Sequence, residues 1–243
     1  MTQPPLLIGL DLPAPGSDMT VVEIGPHTLY CADAYDLRPR LGFFDAEFMD
    51  PPYKFRAAGG GRFRSERQYL DMIVDEALDQ GFDLQIINPL LCGSIVVFCH
   101  NDQLPKLLPH MDGLFHRFAL CTWIKSNPVP MRNKHYLPDM EIFCHAWNRG
   151  YHPLGDHHDM HRWISSNSMA SKVFGHATVK PLKVMDKILR NLSGRTVIDP
   201  FMGTGSTGVA AIRRGKVFTG IEKNPRHFAT AVERIDAAWK QHA

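Results

Sequence analysis

The sequence predicts an α/β protein built on an open sheet, and three features predict it. A short apolar run, Ala46 to Met49, reads as a buried strand and ends in Asp50-Pro51-Pro52-Tyr53. An acid at the carboxyl end of a strand stands where open α/β sheets meet their ligands. The last third of the chain runs strand, Gly-x-Gly turn, helix, strand and terminal acid, from Thr196 to Glu222, which is the order of a nucleotide-binding half. Between these two regions, short apolar runs of strand length alternate with segments of helical spacing.

The elements follow in order. Residues 1–27 are rich in Pro and Gly and read as an irregular lead-in. Thr28 to Ala32 is a strand ending at Asp33, and the strand into Asp50 follows. Leu70, Ile73, Val74, Ala77 and Leu78 recur at helical spacing and predict an amphipathic helix over 67–80. Ser94 to Cys99 is a buried strand, and Leu104 to Leu108 begins a short helix broken by Pro109. Ala119 to Lys125 and Glu141 to Trp147 are two further strands, and residues 148–175 read as irregular. Leu182, Met185, Ile188, Leu189 and Leu192 mark a helix after Pro181. Thr196-Val197-Ile198 is a strand running into a second Asp-Pro, and Val217 to Ile221 is another that ends at Glu222. Asn224 caps the last helix, with Pro225 at its first position and Phe228, Ala231, Val232 and Ile235 facing the core.

A chain of 243 residues fits one domain with an insertion. The whole chain, 1–243, reads as that domain, and 126–175 as a small insertion suited to target recognition. A net charge of +2 neither demands nor excludes a nucleic-acid partner, so local clustering decides. Five cysteines in no CxxC pairing, four of them within apolar stretches, read as reduced core thiols of a cytoplasmic protein. No apolar run is long enough to span a bilayer, and Met1 to Pro5 lacks the basic region of a signal peptide. His152, His157, His158 and His161 crowd the insertion, but no cysteine joins them and their spacing matches no common zinc pair, so no metal is expected.

The Asp50 corner suits a flat, weakly basic amino group. Asp50 and the Pro51 carbonyl can accept its two protons while Tyr53 stacks on its ring; Pro52 stiffens the turn. Directly after it, Gly59-Gly60-Gly61 is flanked by Lys54, Arg56, Arg62, Arg64 and Arg67. This reads as a basic flap beside the site, suited to phosphates. At the other corner, Gly203 and Gly205 let a ligand approach the backbone closely, and Glu222 suits a ribose diol. A third fingerprint glycine is missing, and no Gly-Lys-Ser/Thr follows. A nucleoside cofactor without a pyrophosphate is therefore favoured, which points to S-adenosylmethionine.

Asp50-Pro51-Pro52-Tyr53, with Asp199-Pro200-Phe201-Met202-Gly203-Thr204-Gly205-Ser206-Thr207 far downstream, resembles the amino-methyltransferases of DNA. His176-Ala177-Thr178-Val179-Lys180-Pro181 is similar to the segment before the cofactor loop in their β-class. So are Tyr30-Cys31-Ala32-Asp33 before the catalytic strand and Trp123-Ile124-Lys125. The catalytic half comes first and the cofactor half last, which is the β-class order, and the likeness covers roughly residues 28–238. Ala32 and Ala177 depart from the usual glycine and proline.

The resemblance implies a Rossmann-like three-layer sandwich with a seven-stranded, mostly parallel sheet and circularly permuted motifs. The implied sheet order is 28–32, 217–222, 196–199, 46–49, 94–99, 141–146, 119–124. It implies that Asp50 and Pro51 polarise the target amino group and that Tyr53 stacks on a base flipped out of double-stranded DNA. It places S-adenosylmethionine on Pro200, Phe201, Gly203, Gly205, Ser206 and Thr207, with Glu222 on its ribose and Asp33 on its adenine. His176, Thr178 and Lys180 line its methionine end. Lys54, Arg56, Arg62, Arg64, Arg67 and Lys125 are the expected DNA contacts. The implied reaction is methyl transfer to adenine N6, since serine is more typical of the cytosine N4 enzymes where Asp50 stands. RNA adenine and a silent nucleic-acid-binding subunit are the other readings. A homodimer and a restriction endonuclease partner both stay open.

Overall fold

The structure, a computed structural model, describes residues 19–53, 81–128, 136–168 and 180–242. Among these, nine strands form one sheet: β1 (Thr20–Ile24), β2 (His27–Cys31), β3 (Phe44–Met49), β4 (Cys92–Cys99), β5 (Arg117–Lys125), β6 (Met140–Trp147), β7 (Trp163–Ser166), β8 (Thr196–Asp199) and β9 (Val217–Glu222). Their order is β1-β2-β9-β8-β3-β4-β6-β5-β7. From β2 to β5 this is the order expected from the sequence. β6 runs antiparallel to both β4 and β5, while β2, β9, β8, β3 and β4 are mutually parallel.

The seven expected strands gain one at each edge. β1 lies in the lead-in read as irregular, and it forms a hairpin with β2 through the Gly25-Pro26 turn. Its Val21, Val22 and Ile24 are strand formers, but the Pro- and Gly-rich flanks obscure so short a run. β7 lies in the 148–175 segment, also read as irregular, and pairs parallel with β5. Four residues are too few to establish a period.

Helices cover both faces, giving three layers. One face carries α3 (Leu182–Arg190), α4 (Ser206–Arg213) and α5 (Pro225–His242). Val184, Met185, Leu189, Ala210, Ala231 and Ile235 pack there against Ala46, Phe48, Val96, Phe98 and Val197. The other face holds α1 (Ala34–Leu37) and α2 (Leu104–Leu114), with Leu37, Leu107 and Met111 against Met49, Ile95, Val97, Ile198 and Ile221. β4 thus sends alternate residues into two separate cores, which is why it reads as a continuous apolar run. α2 does not break at Pro109 as expected. Proline forfeits one intrahelical bond, and the fully buried Leu107 and Met111 hold the helix through it. The helix expected over 67–80 lies outside the described residues. Among the described residues, no helix is long and apolar enough to cross a membrane.

Two polar devices fix β3 between β8 and β4. Asp45 Oδ2 accepts from Arg195 N (2.8 Å), Thr196 N (2.9 Å) and Thr196 Oγ1 (2.9 Å), which pins the start of β8 to the start of β3. Deeper in, Arg38 is fully buried and donates Nε and Nη2 to Glu47 Oε2 at 3.0 and 2.8 Å. Nη1 also reaches the Gly42 carbonyl, and Nη2 the Leu91 carbonyl. Through Arg38 this buried pair ties β3 to the approach of β4, while Glu47 Oε1 is buried without a hydrogen-bond partner among the described residues. The consequence is that Asp50 and Asp199 emerge side by side at the carboxyl edge, where strand order reverses.

Candidate active site

The Asp50 corner is the end of β3. Pro51 is buried, and the Pro52 carbonyl accepts from Gln103 Nε2 at 3.5 Å. Around Asp50 the fold gathers side chains from four separate stretches. Lys180, 4% exposed, donates Nζ to Asp50 Oδ2 at 2.5 Å, lies 3.1 Å from Glu141 Oε2 and is 3.3 Å from the Tyr53 hydroxyl. That gives three N–H donors three acceptors. Its ammonium also sits over the rings of Phe98 (4.8 Å) and Tyr53 (5.5 Å). The Tyr53 hydroxyl reaches both Asp50 Oδ1 and Glu141 Oε2 at 3.1 Å, and its single proton can serve only one of them at a time. Lys125 Nζ holds the other Glu141 oxygen at 2.8 Å.

The charges follow from this packing. Burial would raise Glu141, but Lys180 and Lys125 override it and hold the carboxyl down at about 2. Burial raises the Asp50 carboxyl above its ordinary range; Lys180 opposes this and the Glu141 charge adds to it. Burial alone would lower Lys180, yet the two carboxylates reverse the sign and raise it. Burial, then the charges of Asp50 and Glu141, push the Tyr53 phenol well up, so it stays a donor.

The second corner is the end of β8. Its carboxyl, Asp199, accepts from Phe201 N (2.9 Å) and Thr207 Oγ1 (2.6 Å) and meets no cation among the described residues. Burial pushes it up to about 8. The following loop turns through two left-handed glycines, Gly203 (φ 54°) and Gly205 (φ 82°), a conformation that disfavours a side chain. Gly203 N donates to Glu222 Oε2 at 2.9 Å, and Asn224 N donates to Oε1 at 2.7 Å. Arg234 of α5 braces the loop from behind, donating to the Thr204 carbonyl, Thr204 Oγ1 and Ser206 Oγ.

The expected cofactor residues divide by position. Gly203, Gly205, Pro200 and Phe201 form the loop itself, and Glu222 stands opposite at the end of β9. Asp33 follows β2, exposed, one strand over, and caps α1 by accepting from Tyr35 N at 2.8 Å. Tyr35 and Phe201 pack edge to face at 6.1 Å. Ser206 and Thr207 turn their hydroxyls inward, to Arg234 and Asp199. Lys180, expected at the cofactor's methionine end, sits against Asp50, and Lys125, expected on DNA, is held by Glu141. His176, Thr178, Lys54, Arg56, Arg62, Arg64 and Arg67 lie outside the described residues.

Sequence reasoning missed Glu141 and Arg234, and it placed Asp199 in the second motif without giving it a role. Glu141 had one available signal, an acid opening an otherwise apolar strand. Because β6 is antiparallel, its first residues reach the same edge at which β4 and β5 finish. The donor set at the loop fits S-adenosylmethionine. Residues 200–207 contain no basic side chain for a pyrophosphate, while Asp33 and Glu222 offer carboxylates and Phe201 and Tyr35 offer flat walls.

Fold and corners together define a Rossmann-like methyltransferase sheet. A family model of DNA methylases, the N6/N4 enzymes, matches residues 44–233. The chain belongs to the DNA methylase family. It is 27% identical over 139 residues to Type II methyltransferase M2.DpnII of Streptococcus pneumoniae, covering 48% of this chain and 50% of that protein. It is 38% identical over 65 residues to DNA adenine methyltransferase YhdJ of Escherichia coli (strain K12), 26% of this chain and 22% of that one. The chain spans about half the length, or less, of these curated relatives. The crystal structure of the M1.HpyAVI–SAM complex superposes with a TM-score of 0.62 at 25% identity, covering 86% of this chain and 98% of that one.

Proposed function

We propose that the protein transfers a methyl group from S-adenosylmethionine to the N6 amino group of adenine in double-stranded DNA. The observation that carries this is the juxtaposition on neighbouring strands of an Asp50–Tyr53 corner and a glycine loop without phosphate-binding cations. Support for adenine comes from the aspartate at position 50 and from the name of the Escherichia coli relative.

When bound, S-adenosylmethionine supplies an electrophilic methyl on a sulfonium. Pro200, Phe201, Gly203, Gly205, Asp33 and Glu222 are the residues proposed to hold it, with His176 and Thr178 nearby in sequence to Lys180. Asp50 and the Pro51 carbonyl accept the two N–H bonds of the target amine. An aromatic amine is a poor nucleophile because its lone pair is delocalised into the ring. Accepting both protons localises that pair on nitrogen, so that nitrogen forms the new bond to carbon as the carbon–sulfur pair leaves with sulfur. Asp50 takes the amine proton, and its burial, by raising its basicity, favours that uptake. Tyr53 stacks on the base, which must leave the duplex at a cost of about a few kcal/mol. Positioning and charge complementarity do most of the work.

Residues 126–175 and the basic segment 54–67 are the proposed DNA contacts, with Lys125 at the boundary between contact and catalytic cluster. A homodimer and a restriction endonuclease partner are the assemblies this reading allows, and sedimentation with and without DNA tests the first.

The test is incubation of the protein with duplex DNA and isotopically labelled cofactor, followed by nucleoside mass spectrometry. N6-methyladenine is the expected product. N4-methylcytosine would move the assignment to the rival amine, label in RNA alone would move it to RNA, and no label with retained cofactor binding would indicate a silent subunit.

A further inference from the structure

Both oxygens of Asp50 are already engaged. Lys180 Nζ holds Oδ2 at 2.5 Å and the Tyr53 hydroxyl holds Oδ1 at 3.1 Å. An incoming neutral amine must compete there with a charge-assisted bond, and such bonds are roughly twice as strong as neutral ones. An aspartate paired with an ammonium is also a poor proton acceptor. The site holds a second carboxylate placed to resolve this conflict. Glu141 Oε2 lies 3.1 Å from both the Tyr53 hydroxyl and Lys180 Nζ. Its other oxygen is secured by Lys125, so Glu141 is itself held in place while it receives them.

We propose that Glu141 is a positioning residue: when the target amine takes its place on Asp50, the Tyr53 hydroxyl and the Lys180 ammonium shift their hydrogen bonds onto Glu141. This rests on the amine-methylation reading. Neither group has far to travel, since each already lies within bonding distance of both carboxylates. The exchange conserves charge, with one ammonium passing between two carboxylates. Its result is an Asp50 freed of its cation at the moment it must accept N–H protons. The ionisable groups facing Lys180 among the described residues are Asp50, Tyr53 and Glu141, with Lys125 beyond Glu141 and Asp199 beyond Asp50. Burial would lower Glu141's affinity for charge, but Lys180 and Lys125 keep it ionised throughout the working pH range.

The test is Glu141→Gln in the full chain, which keeps the shape and removes the charge. Turnover on adenine DNA should fall roughly 10- to 100-fold, with KM for DNA changing far less than kcat and cofactor affinity unchanged within about twofold. Without Glu141 the ammonium stays on Asp50 until it loses its proton. Turnover of the variant should therefore climb with pH on the alkaline side, where the wild type does not. Glu141→Asp, which keeps the charge, should restore much of the lost rate. With the lysines labelled at Cε and Lys180 assigned by Lys180→Arg, NMR should show its titration moving to lower pH in Glu141→Gln. A folded Glu141→Gln protein with wild-type kcat and pH profile would overturn the proposal. So would a loss that is equal at every pH, or an unmoved Lys180 titration. A wild type inactive on every base would instead strike at the amine-methylation reading, while the NMR titration would still report on the Lys180–Glu141 coupling.

Discussion

Asp50-Pro51 and Asp199-Pro200 are the same dipeptide at the ends of adjacent strands, and the fold gives their carboxylates different environments. Asp50 faces Lys180, Tyr53 and Glu141 and belongs to a charged, polar cluster. Asp199 faces a backbone amide and the Thr207 hydroxyl, meets no cation among the described residues and is pushed up to about 8 by burial. The first carboxylate is the one proposed to act on the amine, whereas burial favours the neutral form of the second, which braces the glycine loop. A motif names the residue type, but the partners brought by other strands decide its charge.

Several changes would break or sharpen this contrast. The largest effect is expected for Asp50→Ala, which should lower methyl transfer by about 10³-fold, on the scale of losing a group that acts only at the reacting centre. Its cofactor affinity, measured by calorimetry, should change little, because Asp50 is assigned to the base. Loss of cofactor binding with retained turnover would reverse the two corners.

Gly203→Val acts on the opposite corner. A β-branched side chain at φ 54° is strained by about 1–2 kcal/mol and fills the space the ligand approaches. Calorimetry should show roughly 100-fold weaker cofactor binding in a folded variant. Unchanged affinity would remove the loop from the cofactor site.

Asp199→Asn tests whether the second corner is neutral. A carboxyl with an ordinary value of 3.8 held at about 8 in the fold binds its proton more tightly when folded. Its contribution to stability is present below pH 4 and is lost as pH rises through 8. The wild type should therefore lose stability across that window at up to about 1.4 kcal/mol per pH unit, and Asp199→Asn should remove most of that slope. Denaturant midpoints across pH measure this, and parallel curves for the two proteins would show Asp199 to be ionised. Asp50, beside its lysine, offers no such simple window.

The smallest effect concerns DNA and belongs to the first corner alone. Arg62→Ala with Arg64→Ala should reduce the salt slope of DNA binding by about 1 per lost phosphate contact, for specific and random sequences alike. Cofactor affinity without DNA should stay as it was. An unaltered slope would remove residues 54–67 from the DNA surface.

Much of the frame was legible because it rests on local patterns. Runs such as Ser94–Cys99 and Val217–Ile221 carry their burial in their composition, and Asn224-Pro225 announces a helix start. The two edge strands were not legible, since Thr20–Ile24 is masked by its Pro- and Gly-rich flanks and Trp163–Ser166 is four residues long. Asp50, Tyr53, Gly203 and Gly205 could be singled out because each motif is contiguous. Glu141 carried only the faint signal of an acid in an apolar strand, because its meaning depends on β6 running antiparallel and so delivering its first residues to the edge where Asp50 stands.

By itself the sequence determined most of the element types, the two Asp-Pro corners and the glycine loop, all of which depend on neighbours within a few residues. Only the tertiary structure decided which charges meet. Lys180 comes from 130 positions beyond Asp50 and Lys125 from the end of β5. Arg38, a basic residue with no apolar signature, is fully buried against Glu47. Electrostatic environment is a property of distance and solvent exclusion, and both arise only when strands far apart in the chain close into one sheet.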